Sequence, residues 1–140
     1  MDSNRELQNN LAFVIEDDRD IADLYAQVVR EAGYEVQVFY DGKTAYERLQ
    51  EDPAPKLVLL DMHLPSMTGN EIAWEMWFEL EQTSIIIITA DADMASIYRT
   101  KEEVDEVFVK PIPLDVLRDI SRKYLESDDR KLNTKLKRRL

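Results

Sequence analysis

Four short apolar runs in this chain each stop on a polar or charged residue, and those stops constrain its fold more than any other feature. Leu11-Ala-Phe-Val-Ile15 is closed by Glu16 and Asp17, and Leu57-Val-Leu-Leu60 by Asp61. Ile85-Ile-Ile-Ile88 is closed by Thr89, and Val107-Phe-Val109 by Lys110 and Pro111. The run ending at Asp61 is continuously apolar, as a strand covered on both faces should be. A fifth, alternating run at 35–40 reads as a half-exposed strand.

Helical patterns fill the intervals. Ile21, Leu24, Tyr25, Val28, Val29 and Ala32 make an i, i+3, i+4, i+7, i+8 stripe, the mark of one buried helix face. Gly33 follows as a C-terminal cap, where a left-handed residue is wanted. Asp41-Gly42 turns into a helix at 43–50, which Pro53-Ala-Pro55 ends. A loop over 63–69 leads to a helix at 70–80, another lies near 93–100, and a last one places Leu117, Ile120 and Tyr124 on one stripe. Strands alternating with helices predict an α/β fold with a five-stranded parallel sheet. Right-handed crossovers put the residues that end the strands along one edge, where such sheets bind ligands.

Composition narrows the function. Of 140 residues, 44% are hydrophobic and 34% charged, as in a globular chain with a real core. The reading divides it into a polar extension at 1–9, one domain at 10–125, and a basic tail or start of a linker at 126–140. No apolar stretch approaches the roughly 20 residues of a bilayer span. With no signal-peptide pattern and no cysteine, a cytoplasmic location is expected. The net charge of -11 argues against a nucleic-acid-binding body, because phosphate binding needs clustered Lys and Arg. The charge is uneven: residues 126–140 carry a net +3 and the rest -14.

Carboxylates from Glu16, Asp17 and Asp61, a hydroxyl from Thr89 and an ammonium from Lys110 meet on the predicted edge. That set suits a divalent metal and a phosphoryl group. The same residues carry a family resemblance. Val14-Ile-Glu-Asp-Asp18, Leu59-Leu-Asp-Met-His-Leu-Pro65 with Gly69 four residues on, Ile88-Thr-Ala90 and Val109-Lys-Pro111 closely resemble the receiver domain of bacterial two-component response regulators, over about residues 10–125.

The resemblance implies a flavodoxin-like (βα)5 fold with strand order 2-1-3-4-5. It implies that Asp61 is the phosphoacceptor, attacking a phosphohistidine donor to give an acyl phosphate. Glu16 and Asp17 would hold Mg²⁺ (or Mn²⁺) with Asp61 and the backbone carbonyl of His63. Thr89 would donate to a phosphoryl oxygen and Lys110 would pair with another. The Lys110-Pro111 bond is expected to be cis. Implied partners are a histidine kinase or histidine phosphotransfer protein and a downstream protein, with homodimerisation as a further route of output.

The chain also departs from the family. The switch residue three positions before the lysine is commonly Tyr or Phe, and here it is Val107, with Phe108 beside it. Glu102-Glu-Val-Asp-Glu106 stands where a small turn is typical, so the usual output face reads as acidic. His63 and Asp91 flank the site at positions able to influence water attack on an aspartyl phosphate. Asp18 reads as a loop acid or a helix N-cap. Trp74, Trp77 and Phe78 form a second helix face, either an interface or a cover over the core rim. Leu132, Leu136 and Leu140 repeat along the tail.

Three functions compete. The first is a phosphorylation-dependent response regulator, complete or as a fragment of a longer one. The second is a scaffold of the same fold that needs no phosphorylation. The third, an aspartyl-nucleophile phosphatase, is disfavoured because His63 stands where a second Asp would serve as general acid. Turnover of an external substrate is not expected.

Overall fold

A computed structural model describes residues 7–79, 82–102 and 104–127, apart from the side chains of Trp74 and residues 76–79. The expectations for Trp74, Trp77, Phe78 and the tail beyond Ser127 lie outside what is described. Strands and helices alternate: β1 Leu7–Ile15, α1 Arg19–Glu31, β2 Glu35–Phe39, α2 Gly42–Leu49, β3 Ala54–Leu60, α3 Gly69–Glu79, β4 Ser84–Thr89, α4 Ala92–Tyr98, β5 Glu106–Val109 and α5 Leu114–Glu126. All five strands are parallel in the order β2-β1-β3-β4-β5, as the resemblance implies.

The pleat sorts side chains onto two cores. Phe13, Ile15, Val58, Leu60, Ile85 and Ile87 point to one face, where Ala45, Leu49, Ile72 and Tyr98 cover them. Ala12, Val14, Leu57, Leu59, Ile86 and Ile88 point to the other, against Ala22, Val29 and Leu117. Every residue of β3 and β4 is buried, which explains the apolar runs Leu57–Leu60 and Ile85–Ile88 within them. Each fully buried Leu or Ile contributes about 1.5–3 kcal/mol through removal of apolar surface from water.

Two strands begin earlier than expected. β1 starts at Leu7 and pairs there with Ala54, across a register irregularity between Gln8 and Ala12. β3 therefore includes Pro55, opposite Gln8, so the proline segment ends α2 and opens the next strand.

Helix starts follow local capping chemistry. Asp18, Asp41 and Asp91 sit at the N-caps of α1, α2 and α4, accepting from the backbone amides of Ile21, Thr44 and Met94. Asp18 is thus a cap. The stripe expected on α1 needs one correction: Leu24 is 42% exposed, while Ala22 and Ala26 are buried. The face that meets the sheet is rotated toward the small residues, which let the helix lie closer. Gly33 has φ +117°, and a Cβ there would come 2.7 Å from Leu125 Cδ2. Only glycine accepts both conditions.

The far end of α5 is tied to the sheet. Lys56, 7% exposed, donates from Nζ to the carbonyls of Leu125 at 3.0 Å and Ser127 at 2.5 Å. The Tyr34 hydroxyl donates to the Ser121 carbonyl at 2.9 Å.

Candidate functional site

The site lies at the carboxyl ends of β1, β3, β4 and β5, and backbone hydrogen bonds carry the ladders one residue past the strands to form it. Asp61 N donates to Ile15 O at 3.0 Å, setting Asp61 beside Glu16. Glu16 N donates to Phe39 O at 3.0 Å, and Lys110 N donates to Thr89 O at 2.8 Å. Parallel register therefore levels Glu16, Asp61, Thr89 and Lys110 along one edge. Gly69 permits the turn after β3 to fold back: a Cβ there would lie 2.6 Å from Asp61 O and 2.7 Å from Met62 Cα.

Glu16, Asp17 and Asp61 each offer a carboxylate oxygen, and these atoms lie within 4.8 Å of one another. Glu16 and Asp61 are buried while Asp17 is exposed, so the cluster opens to solvent on one side. Hard oxygen donors, crowded and partly open, fit a small divalent cation that keeps some of its waters.

Lys110 Nζ lies 2.5 Å from Glu16 Oε1 and 3.6 Å from Asp61 Oδ2. One ammonium against three carboxylates leaves excess negative charge. Burial pushes the Glu16 carboxyl up to about 7, the Asp61 charge adds to the rise, and the hydrogen bond from Lys110 opposes it. Burial works to lower the Lys110 ammonium, but the bond to Glu16 and the charges of Asp61 and Glu16 outweigh it and raise it. A bound cation would relieve this crowding.

The loops complete the rim. His63 N donates to Asp61 Oδ1 at 3.2 Å, holding one carboxylate oxygen in place. Thr89 is fully buried, and its Oγ accepts from Asp91 N at 3.1 Å, which leaves its own proton to donate. His63 Nε2 stands 3.8 Å from Asp91 Oδ2, so the loops after β3 and β4 face each other. The sequence-predicted residues are thus gathered on one edge, with the three acids clustered and Lys110 against Glu16 and Asp61. The Lys110-Pro111 bond is cis, as expected.

This geometry has close relatives. Residues 12–122 match the family model for the response regulator receiver domain. The chain belongs to that family. A curated relative, sporulation initiation phosphotransferase F of Bacillus subtilis, is 32% identical over 120 residues, covering 85% of this chain and 96% of the relative. Among solved structures, the response regulator TrrA of Thermotoga maritima, in complex with Mg²⁺ and BeF, has a TM-score of 0.70 at 27% identity, covering 82% of this chain and 98% of that one. A receiver domain of Rhodospirillum rubrum has a TM-score of 0.69 at 25% identity, covering 84% and 95% respectively.

As a receiver domain, the chain is unusual around α4 and β5. Val107 packs against the core beneath α3 and α4, whereas Phe108 packs against the opposite core. Phe108 therefore does not stand in for the usual aromatic. A ring does occupy that side: Tyr98 on α4 is buried, and its hydroxyl donates to Asn70 Oδ1 in the first turn of α3. Two acids of the run have structural roles. Asp105 accepts from Ile85 N at 2.8 Å, and Glu106 accepts from the Tyr124 hydroxyl at 2.8 Å.

By its spacing, Tyr25 belongs only to the α1 core stripe. The structure sets it in a cleft shared with Glu16 and Asp61. The one signal was a polar-tipped ring in an apolar stripe two turns beyond the acid pair. Among the described residues, no helix is long and apolar enough to cross a membrane.

Proposed function

We propose that this receiver domain takes a phosphoryl group on Asp61 from a phosphohistidine donor, a histidine kinase or a histidine phosphotransfer protein, and signals to a protein partner. The observation that carries this reading is the buried Asp61 carboxylate, set among Glu16, Asp17 and Lys110 with its Oδ1 held by the His63 amide. Glu16, Asp17, Asp61 and the His63 carbonyl are the residues that would hold Mg²⁺ or Mn²⁺. When bound, the ion supplies positive charge against the incoming phosphoryl oxygens.

In the transfer, the free oxygen of Asp61 forms the new O–P bond as the P–N bond of the donor breaks, and the electron pair leaves with the imidazole. Lys110 neutralises one phosphoryl oxygen, and Thr89 donates its free hydroxyl proton to another. Both residues are already ordered by the β4–β5 ladder, so catalysis is mainly positioning. Neither gains or loses a proton overall. His63 and Asp91 flank the opening and set the access of water to the acyl phosphate, and so its lifetime.

The products are a modified Asp61 and the dephosphorylated donor, with no separate substrate turned over. Intact mass after incubation with Mg²⁺ and acetyl phosphate tests the reading. A single phosphoryl adduct, absent from Asp61→Asn, is the expected result, and an adduct retained in the variant would sink the assignment. Val107 at the usual switch position favours a second reading, a scaffold independent of phosphorylation. Folded, Mg²⁺-bound protein that no phosphodonor labels would bring that reading to the front.

A further inference from the structure

A cleft runs beneath the acid pair on the α1 side of the sheet, lined by Val14, Glu16, Tyr25, Leu59, Asp61 and Ile88 among others. Its side-chain walls are aliphatic except for the two carboxylates and the phenol. Tyr25 is only 7% exposed, and its hydroxyl, which keeps some contact with solvent, makes no hydrogen bond among the described residues. Buried phenols ordinarily find a partner. Two other buried phenols find protein partners: Tyr34 donates to Ser121 O at 2.9 Å and Tyr98 to Asn70 Oδ1. The Tyr25 hydroxyl instead lies within the fields of Lys110, Glu16 and Asp61, and burial keeps it protonated. It is a free donor facing an acidic pocket.

The partner follows from what a cation would do to Glu16. In this structure Glu16 Oε1 is held by Lys110 at 2.5 Å and Oε2 by the Asp18 amide at 3.2 Å. A cation on Glu16, Asp17 and Asp61 repels the ammonium and competes for the same oxygen. Glu16 is 3% exposed, so little bulk water is at hand to replace the donor it loses.

We propose that Tyr25 is a positioning residue for the cation: its hydroxyl donates to the Glu16 carboxylate, directly or through one water in the cleft, once Lys110 is displaced. This rests on the reading of Glu16, Asp17 and Asp61 as cation ligands. Ligating carboxylates are commonly oriented by such outer hydrogen bonds, and loss of one weakens metal binding. The ring of Tyr25 serves the core, while the hydroxyl serves the site.

The test is Mg²⁺ titration calorimetry on the full chain as wild type, Tyr25→Phe and Tyr34→Phe, with thermal melts in chelator. Tyr25→Phe removes only the hydroxyl and is expected to weaken Mg²⁺ binding about tenfold, with the metal-free melting point held. Tyr34→Phe loses a structural bond far from the site and is expected to do the reverse. Mg²⁺ should also perturb tyrosine absorbance in the wild type, and that signal should vanish in Tyr25→Phe. Affinity in Tyr25→Phe within twofold of wild type, equal losses in both variants, or no wild-type absorbance change would overturn the proposal. A wild type that binds no Mg²⁺ would overturn the cation reading and Tyr25 with it. A wild type that binds Mg²⁺ but is never phosphorylated would overturn only the phosphoacceptor reading.

Discussion

Lys110 is held by Glu16 rather than by Asp61, at 2.5 Å against 3.6 Å. The ammonium is therefore stored on the acid pair, one short movement from the carboxylate proposed to receive the phosphoryl group. Both partners of the pair are largely out of solvent, at 19% and 3% side-chain exposure, so breaking it from one side is costly.

Lys110→Ala leaves the Glu16 carboxylate without its counter-charge. Removal of one partner of such a pair typically costs about 3 kcal/mol or more. The loss should be largest in alkaline solution, where Glu16 is fully ionised, and shrink towards acid, where Glu16, already raised to about 7, takes a proton. Mg²⁺ binding should survive, while the conformational response to beryllofluoride should weaken. Denaturant melts and amide chemical shifts measure the two effects, and an unchanged response would remove Lys110 from its proposed role.

Asp61→Asn should abolish labelling by acetyl phosphate while preserving the fold. It also deletes one of three crowded negative charges, so the metal-free protein should melt no lower than wild type. Mass spectrometry and circular dichroism decide this together.

The stability of the metal-free protein should depend on pH through Glu16. Its carboxyl is raised by burial from 4.5 to about 7. A group raised in the folded state favours folding fully below its unfolded value, and that contribution is lost as pH rises through the folded value. The melting point in chelator should therefore fall from about pH 5 to about pH 8, and saturating Mg²⁺ should restore much of the loss. A flat profile in chelator would contradict the burial of an uncompensated carboxyl.

Lys56→Met should lower stability by about 1–3 kcal/mol, because two half-buried carbonyls at the end of α5 lose their donor. Amide exchange should rise at the C-terminal turn of α5 and stay unchanged at the Asp61 edge. Uniform loosening of the whole sheet would contradict a local tie.

Much of this protein can be read along the chain. Apolar runs of three to five residues mark the strands, buried on both faces in β3 and β4, and their polar stops name the residues of the edge: Glu16, Asp17, Asp61, Thr89 and Lys110. Asp41 and Gly33 mark helix ends because capping and left-handed geometry are decided within a few residues. The order of the strands came only with the family resemblance, since adjacency in a sheet is not local.

Tertiary structure alone decided the pairings. That Lys110 rests on Glu16, that Asp105 and Glu106 are taken up by β4 and α5, and that Phe108 faces away from α4 depend on register and on contacts between segments far apart in sequence. Tyr25 shows the limit most clearly. Its place in a helical stripe predicts a buried ring, and the ring is buried. Which atoms its hydroxyl meets depends on how α1 lies across β1 and β3, which no local pattern encodes because helix packing is set by the side chains of both surfaces at once.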